Sequence, residues 1–238
     1  MSTSATDPDT ESISKCLAID GPTAVGKSVV GKSLAIALSL PFCDTGLMYR
    51  AATLAVLRQD VDLSDHQSIV QCVQSAEIDL AWDTPETPKI FLGGEDVSDR
   101  LRGPQIDGSV SKVAGLPDVR SVLVERQRSL ADRSPVVMVG RDIGTFILQA
   151  ARLKVFLDAS IEERARRRHI DETNAGRSIS FEEILESIAS RDAADNTGHR
   201  AITPEQAASD AVIIATDSMS ADEVVSRCVS LYKDMNSG

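Results

Sequence analysis

The chain has 238 residues, 42% of them hydrophobic and 26% charged, with a formal net charge of −11. That length can form one α/β domain, or one with an inserted lobe, around a sizeable core. The acidic balance, with no window dominated by Lys and Arg, argues against a nucleic-acid partner, and no apolar run reaches membrane-spanning length.

Four cysteines (Cys16, Cys43, Cys72, Cys228) show neither CxxC nor metal-ligand spacing. Two lie in expected strands and read as small buried hydrophobes, which suits a reducing compartment. Residues 1–14 are rich in Ser, Thr and Asp and lack an apolar core, so they read as a disordered tail rather than a signal peptide or anchor. A cytoplasmic monomer is expected, with its domain over residues 15–238.

Cys16-Leu17-Ala18-Ile19-Asp20 is expected as a short buried strand. It runs into Gly21-Pro22-Thr23-Ala24-Val25-Gly26-Lys27-Ser28, which fits G-x-x-x-x-G-K-[ST]. Val30, Leu34 and Leu38 then recur at four-residue spacing, as one face of a helix requires. Strand, glycine loop and helix together make this a phosphate-binding loop rather than a tight core turn. Gly21 and Gly26 let the backbone curl with its N–H groups inward, and the helix adds unpaired N–H groups and a positive dipole end. Lys27 is expected at the β- and γ-phosphates and the Ser28 hydroxyl on Mg²⁺, with the loop through Val29 as the ATP site.

Phe42-Cys43-Asp44 follows as a second strand, Leu47 onward as a helix to about Asp60, and residues 62–76 as a shorter one. From about Glu77 to Gly103 the texture changes. Ile78-Asp79-Leu80-Ala81-Trp82 alternates, Pro85 and Pro88 punctuate, and Lys89-Ile90-Phe91-Leu92 precedes Gly93-Gly94, which predicts a small antiparallel hairpin or meander in an inserted lobe. Pro117 then opens a helix. Val136 to Gly140, Leu153 to Asp158 and Ala211 to Ala215 read as strands, each an unbroken apolar run of the kind covered on both faces. Helices at about 161–173, 180–194 and 220–234 alternate with them, the second opened by a Ser180/Glu183 capping box. The sum is a five-stranded parallel sheet flanked by helices.

Three further constellations carry charge. Asp44-Thr45-Gly46 with Tyr49-Arg50 lies beyond the second strand, where open parallel sheets bind ligands. Either Arg50 grips a second anion beside the loop, or Asp44 caps the helix and Arg50 lies in solvent. Arg141-Asp142 ends a buried strand, a costly position unless the two charges bind a ligand or each other. In Glu162-Glu163-Arg164-Ala165-Arg166-Arg167-Arg168, Glu162–Arg166 and Glu163–Arg167 are i,i+4 pairs, while Arg164 and Arg168 are like charges that would close on an anion as a lid. Arg191, Asp195 and Arg200 continue that series.

These segments resemble the bacterial cytidylate kinases. The resemblance is carried by Ile19-Asp20-Gly21-Pro22 with Gly26-Lys27-Ser28, Asp44-Thr45-Gly46 with Tyr49-Arg50, and Gly93-Gly94-Glu95-Asp96-Val97-Ser98. Gly140-Arg141-Asp142-Ile143-Gly144-Thr145, Phe156-Leu157-Asp158-Ala159-Ser160, Glu163 to Arg168 and Arg191-Asp192 complete it, over about residues 15–238. It implies a P-loop nucleoside-monophosphate-kinase fold, with a monophosphate-binding insert over about residues 60–130 and a lid over about 160–200. It also implies γ-phosphoryl transfer from ATP to CMP or dCMP with Mg²⁺.

By position, Arg50 and Arg141 would hold the CMP phosphate, and Ser111, Arg120 and Asp142 would read cytosine, with Asp44, Thr45 and Tyr49 nearby. Arg191, Asp195 and Arg200 would contact sugar and phosphates, and Arg164, Arg167 and Arg168 would be the lid arginines. Here Asp195 and Arg200 are separated by two residues more than in similar sequences, and His199 in that stretch reads as loop.

A monophosphate brings its own anionic oxygen, its second pKa lying near ~6, so the chemistry needs alignment and charge neutralisation rather than a base. A shikimate-like hydroxyl kinase would instead want a carboxylate base, for which Asp44 or Asp142 would be candidates. A nucleotide-dependent switch is the other alternative, and no N-K-x-D guanine-reading tetrapeptide is present.

Overall fold

A computed structural model describes residues 12–196 and 203–235. Its centre is β1 (Leu17–Asp20), buried along its whole length and hydrogen-bonded on both sides. With β2 (Phe42–Asp44), β6 (Val137–Val139), β7 (Leu153–Asp158) and β8 (Val212–Ala215) it forms a five-stranded parallel sheet, ordered β2-β6-β1-β7-β8. Register sets Leu17 beside Val137 and Leu153, and Ile19 beside Val139 and Val155.

The unbroken apolar runs follow from two cores. Leu17, Ile19, Val137, Val139, Leu153 and Val155 pack into one cluster with α1 (Lys27–Leu38) and α8 (Ala221–Asp234). Their neighbours Ala18, Cys43 and Met138 face a second cluster with α2 (Thr45–Arg58) and α5 (Pro117–Arg133). Neither face of the central strands is left to water, so polar alternation has no place. All four cysteines are buried and free.

The segment between α2 and β6 builds its own cluster on the far side of α2. It contains α3 (His66–Ser75), an antiparallel meander of β3 (Ile78–Thr84), β4 (Thr87–Leu92) and β5 (Glu95–Asp96), and α4 (Pro104–Ala114). Val56, Ile69, Val73, Ile90, Val97, Leu101, Val113 and Leu123 fill it. The meander also covers the open side of β2: Phe42 N donates to Pro85 O at 2.8 Å, and Trp82 Nε1 donates to Phe42 O at 2.7 Å. That pairing leaves no bare edge there.

Sequence reasoning ran from Gly103 to Pro117 without a helix. The structure forms α4, with Pro104 in its first turn and Ile106, Ser109 and Val113 buried. Gly103 takes a φ of 149° before that first turn. After β7, α6 (Ile161–Asn174) and α7 (Phe181–Asp195) pack through Ala165, Ile184 and Ile188. The Ser180/Glu183 capping box is present, and Ser220/Glu223 repeats it on α8. Among the described residues no helix is long and apolar enough to cross a membrane.

Candidate active site

The carboxyl ends of β1, β2 and β6 come together around the loop between β1 and α1. Gly21 has a φ of 146°, and a Cβ there would lie 2.3 Å from Leu157 O, so only glycine fits. Gly26 turns the chain into α1 with a φ of 101°. Ala24 holds φ 61°, strained for a residue with a Cβ, and packs against the α6–α7 cluster.

Lys27 Nζ donates to the loop's own carbonyls, Gly21 O at 2.7 Å and Pro22 O at 2.6 Å. Enclosure, and then the Arg141 cation, push its pKa down to about 7. Ser28 Oγ donates to Asp44 Oδ2 at 2.8 Å, while Asp44 Oδ1 accepts from Gly46 N at 3.0 Å and caps α2. Asp44 is therefore both a cap and a partner of the loop serine. Val29 points outward, 59% exposed.

Opposite the loop, Arg50 is not in open solvent. Its Nη1 donates to Leu101 O at 3.0 Å and to Asp107 at 2.7 Å. Thr45 Oγ1 donates to Val139 O at 3.0 Å, and Tyr49 packs against the insert cluster. Arg191 is exposed; partial desolvation, and then the nearby Arg50 and Arg168 cations, hold its pKa below the ordinary guanidinium value. Three arginines thus share one corner.

Arg141 and Asp142 do not pair with each other. Arg141 donates to Thr23 Oγ1 at 2.6 Å and pairs with Asp195, whereas buried Asp142 pairs with Arg120. Ser111 is exposed on α4.

The arginine run corrects the expectation of bare like charges. Arg164 is buried and donates to Thr23 O at 3.0 Å, Ala159 O at 3.2 Å and Asp192 at 2.6 Å. Arg168 pairs with Glu172 at 2.5 Å, so each cation already has a carboxylate. Arg166 turns to Glu163 rather than Glu162, and with Arg167 it holds Glu163 down at about 2. Arg167 also donates to Val25 O at 3.2 Å and Thr216 O at 2.6 Å, tying α6 to the loop. Arg200 and His199 lie outside the described residues.

Sequence reasoning gave no role to three carboxylates that organise this site, reading Asp20 and Asp192 only as parts of matching segments and Asp107 not at all. Asp192 accepts from Arg164 and from Thr23 N at 3.4 Å, and Asp107 reaches Arg50 from the insert. Asp20 accepts from Ile143 N at 2.7 Å and Gly144 N at 2.8 Å, fixing the turn after Asp142. Burial raises its pKa to about 6 against those two hydrogen bonds and the Lys27 charge. A lone Asp ending an apolar strand was the available signal for it.

Lys27 and Arg141 both contact the loop, Arg50 and Arg191 lie near one another, and Arg164 and Arg167 donate to the loop carbonyls of Thr23 and Val25.

Comparison with known proteins bears on the same stretch. Residues 17–234 match the family described as Cytidylate kinase. A cytidylate kinase of Caldanaerobacter subterraneus is 43% identical over 222 residues, covering 93% of this chain and 96% of the relative. One from Geobacillus thermodenitrificans is 44% identical over 219 residues, covering 92% and 96%. One from Corynebacterium efficiens is 42% identical over 216 residues, covering 90% and 93%.

Proposed function

Because the chain belongs to the cytidylate kinase family, we propose that it moves the γ-phosphoryl of ATP to CMP or dCMP, giving CDP or dCDP and ADP. The observation that carries this reading is Arg141, whose guanidinium donates to Thr23 of the loop and also pairs with Asp195 of α7, a position from which it would bridge donor and acceptor phosphates. One cation between two phosphates offsets the repulsion that otherwise keeps them apart.

Lys27 would leave Gly21 O and Pro22 O for the β- and γ-phosphates. Arg50, Arg141 and Arg191 would take the acceptor phosphate, with Thr45 and Tyr49 beside them, and the phosphate would replace Asp107 on Arg50 and Asp195 on Arg141. Asp195 and Arg200 would meet the sugar. Ser111, Arg120 and Asp142 would read the base, Asp142 accepting from an exocyclic amine while Arg120 donates.

The acceptor oxygen is already anionic at neutral pH, so no side chain has to remove a proton. Asp44 and Asp142, the bases a hydroxyl acceptor would need, are instead engaged with Ser28 and Arg120. A hydroxyl backed by a carboxylate at the loop suits Mg²⁺, and Ser28 with Asp44 behind it would hold that ion. Mg²⁺ supplies charge neutralisation on the phosphate oxygens when bound. Arg164, Arg167 and Arg168 would form the lid over about residues 160–200 of a domain spanning 15–238, excluding water from the transfer. The insert, about residues 60–130, would carry the monophosphate.

The test is ADP release from ATP and Mg²⁺ with CMP, dCMP, UMP, AMP, GMP and shikimate offered in parallel. Fast turnover confined to CMP and dCMP is the expected result. Silence on all nucleotides would sink the reading.

A further inference from the structure

Phe146 is a large apolar side chain left 43% exposed beside the base-reading pair. It sits in a single π-helical turn, Ile143–Ile147, directly after Gly140-Arg141-Asp142. Such turns are rare and cluster at functional sites. Phe146 N and Ile147 N both donate to Asp142 O, at 3.0 and 3.1 Å, so the ring and the Asp142 carboxylate ride on one rigid unit.

Two guanidinium groups lie on that ring. Arg128 Cζ is 5.1 Å from its centroid, and Arg120 Cζ is 5.7 Å away. Arg128 is also tied to the turn's backbone, donating from Nη2 to Phe146 O at 2.7 Å and from Nε to Ile147 O at 3.2 Å. Arg128 thus clamps the turn to α5, and the clamped ring presents a face to Arg120, whose ion pair is with Asp142.

We propose that Phe146 is a positioning residue for base selection, acting through Arg120; the inference rests on the CMP reading above. An ion pair with Asp142 fixes one edge of the Arg120 fork. The ring bears on the plane of the fork by holding the cation over an aromatic face. A cytosine edge offers an amine donor beside the N3 acceptor, and a uracil edge reverses those two, with a carbonyl acceptor beside an N3–H donor. A carboxylate and a guanidinium separate the two only if their relative geometry is fixed, because a mismatched buried donor or acceptor is what rejects the wrong base.

The experiment compares Phe146→Ala, Phe146→Tyr and Phe146→Leu with wild type in steady-state kinetics on CMP, UMP and ATP, with melting temperatures. Phe146→Ala is expected to raise KM for CMP about threefold to tenfold. In that variant kcat stays within about twofold and KM for ATP does not move, since the ring acts on ground-state orientation of the base reader. The kcat/KM preference for CMP over UMP should shrink with it. Phe146→Tyr, which keeps the ring, should restore both values, and Phe146→Leu should not. An unchanged CMP constant and an unchanged preference in Phe146→Ala would overturn the proposal. So would a full rescue by Leu, which would make the residue simple packing. Wild-type protein inactive on both pyrimidine monophosphates would remove the reading beneath it, before any variant is compared.

Discussion

Asp20 accepts a hydrogen bond from the Gly144 amide at 2.8 Å, so the residue that opens the phosphate loop also holds the turn behind Arg141 and Asp142. With the Ile143 amide at 2.7 Å, both carboxylate oxygens are engaged in a buried place. Asp20→Asn keeps the shape but sets an NH₂ against one of those N–H groups. The expected cost is on the order of 1–3 kcal/mol in thermal or urea melts, with kcat/KM for CMP falling more than KM for ATP rises. The sign of the pH dependence is fixed as well. With the folded pKa raised to about 6, this group's contribution to stability is full below its unfolded pKa and is lost as pH rises through 6. Asp20→Asn should flatten the stability curve between about pH 4 and 6, and an unaltered curve would show that Asp20 does not titrate there.

Lys27 gives a prediction of opposite direction. Its folded pKa near 7 lies below the unfolded value, so stability should rise as pH climbs from 7 toward 10. Phosphate arriving at the ammonium restores the charge. At pH 8, ATP binding is therefore expected to take up protons, read as a dependence of the calorimetric enthalpy on the buffer's own ionisation heat. Lys27→Met should abolish that uptake and lower kcat on the order of a thousandfold. A binding enthalpy identical across buffers would mean that Lys27 is already charged in the free protein.

Much of this was legible from local pattern alone. Leu17 to Asp20 reads as a strand because its apolar run is continuous, and it is continuous because alternate residues enter two different cores. The phosphate loop is a contiguous motif, and the Ser180/Glu183 cap needs only three residues of spacing. What stayed hidden depends on distance along the chain. Arg164 meets Asp192 across 28 residues and Asp20 meets Ile143 across 123, and no spacing rule pairs such charges. The helix Pro104–Ala114 was hidden differently: Gly103-Pro104 and Gly108 interrupt the periodicity, yet burial of Ile106 and of Val113, the latter in the insert cluster with α2 and α5, prevails over propensity.

Gly31 tests packing apart from chemistry. It lies inside α1, where alanine is normally the better helix former by about 1 kcal/mol. A Cβ at this position would come 2.6 Å from Phe42 Cε2 and 2.7 Å from Val139 Cγ1, and both side chains are buried. Overpacking should win. Gly31→Ala is expected to lower stability by about 1–3 kcal/mol in a urea melt, and a stabilised variant would mean that the contact between α1 and the sheet yields.

Arg164 and Arg168 should separate by what each removal leaves behind. Arg164 is enclosed, and its loss strands Asp192 and the carbonyl oxygens of Thr23 and Ala159. Arg164→Ala should therefore cost on the order of 2–3 kcal/mol as well as turnover, and Arg164→Lys should recover little, because an ammonium cannot span the three acceptors. The Arg168 side chain is 48% exposed and, among the described residues, pairs with Glu172. Arg168→Ala should move stability by no more than about 0.5 kcal/mol, because Arg168 is half-exposed and buried Glu172 keeps its pairing with Arg177. If its guanidinium turns to the transferring phosphoryl, kcat should fall on the order of a thousandfold while KM for both substrates changes little. Melts and steady-state kinetics on the two alanine variants read all four values. A full kcat in Arg168→Ala would remove it from the lid, and an undiminished melting temperature in Arg164→Ala would mean that Thr23 and Asp192 find other partners.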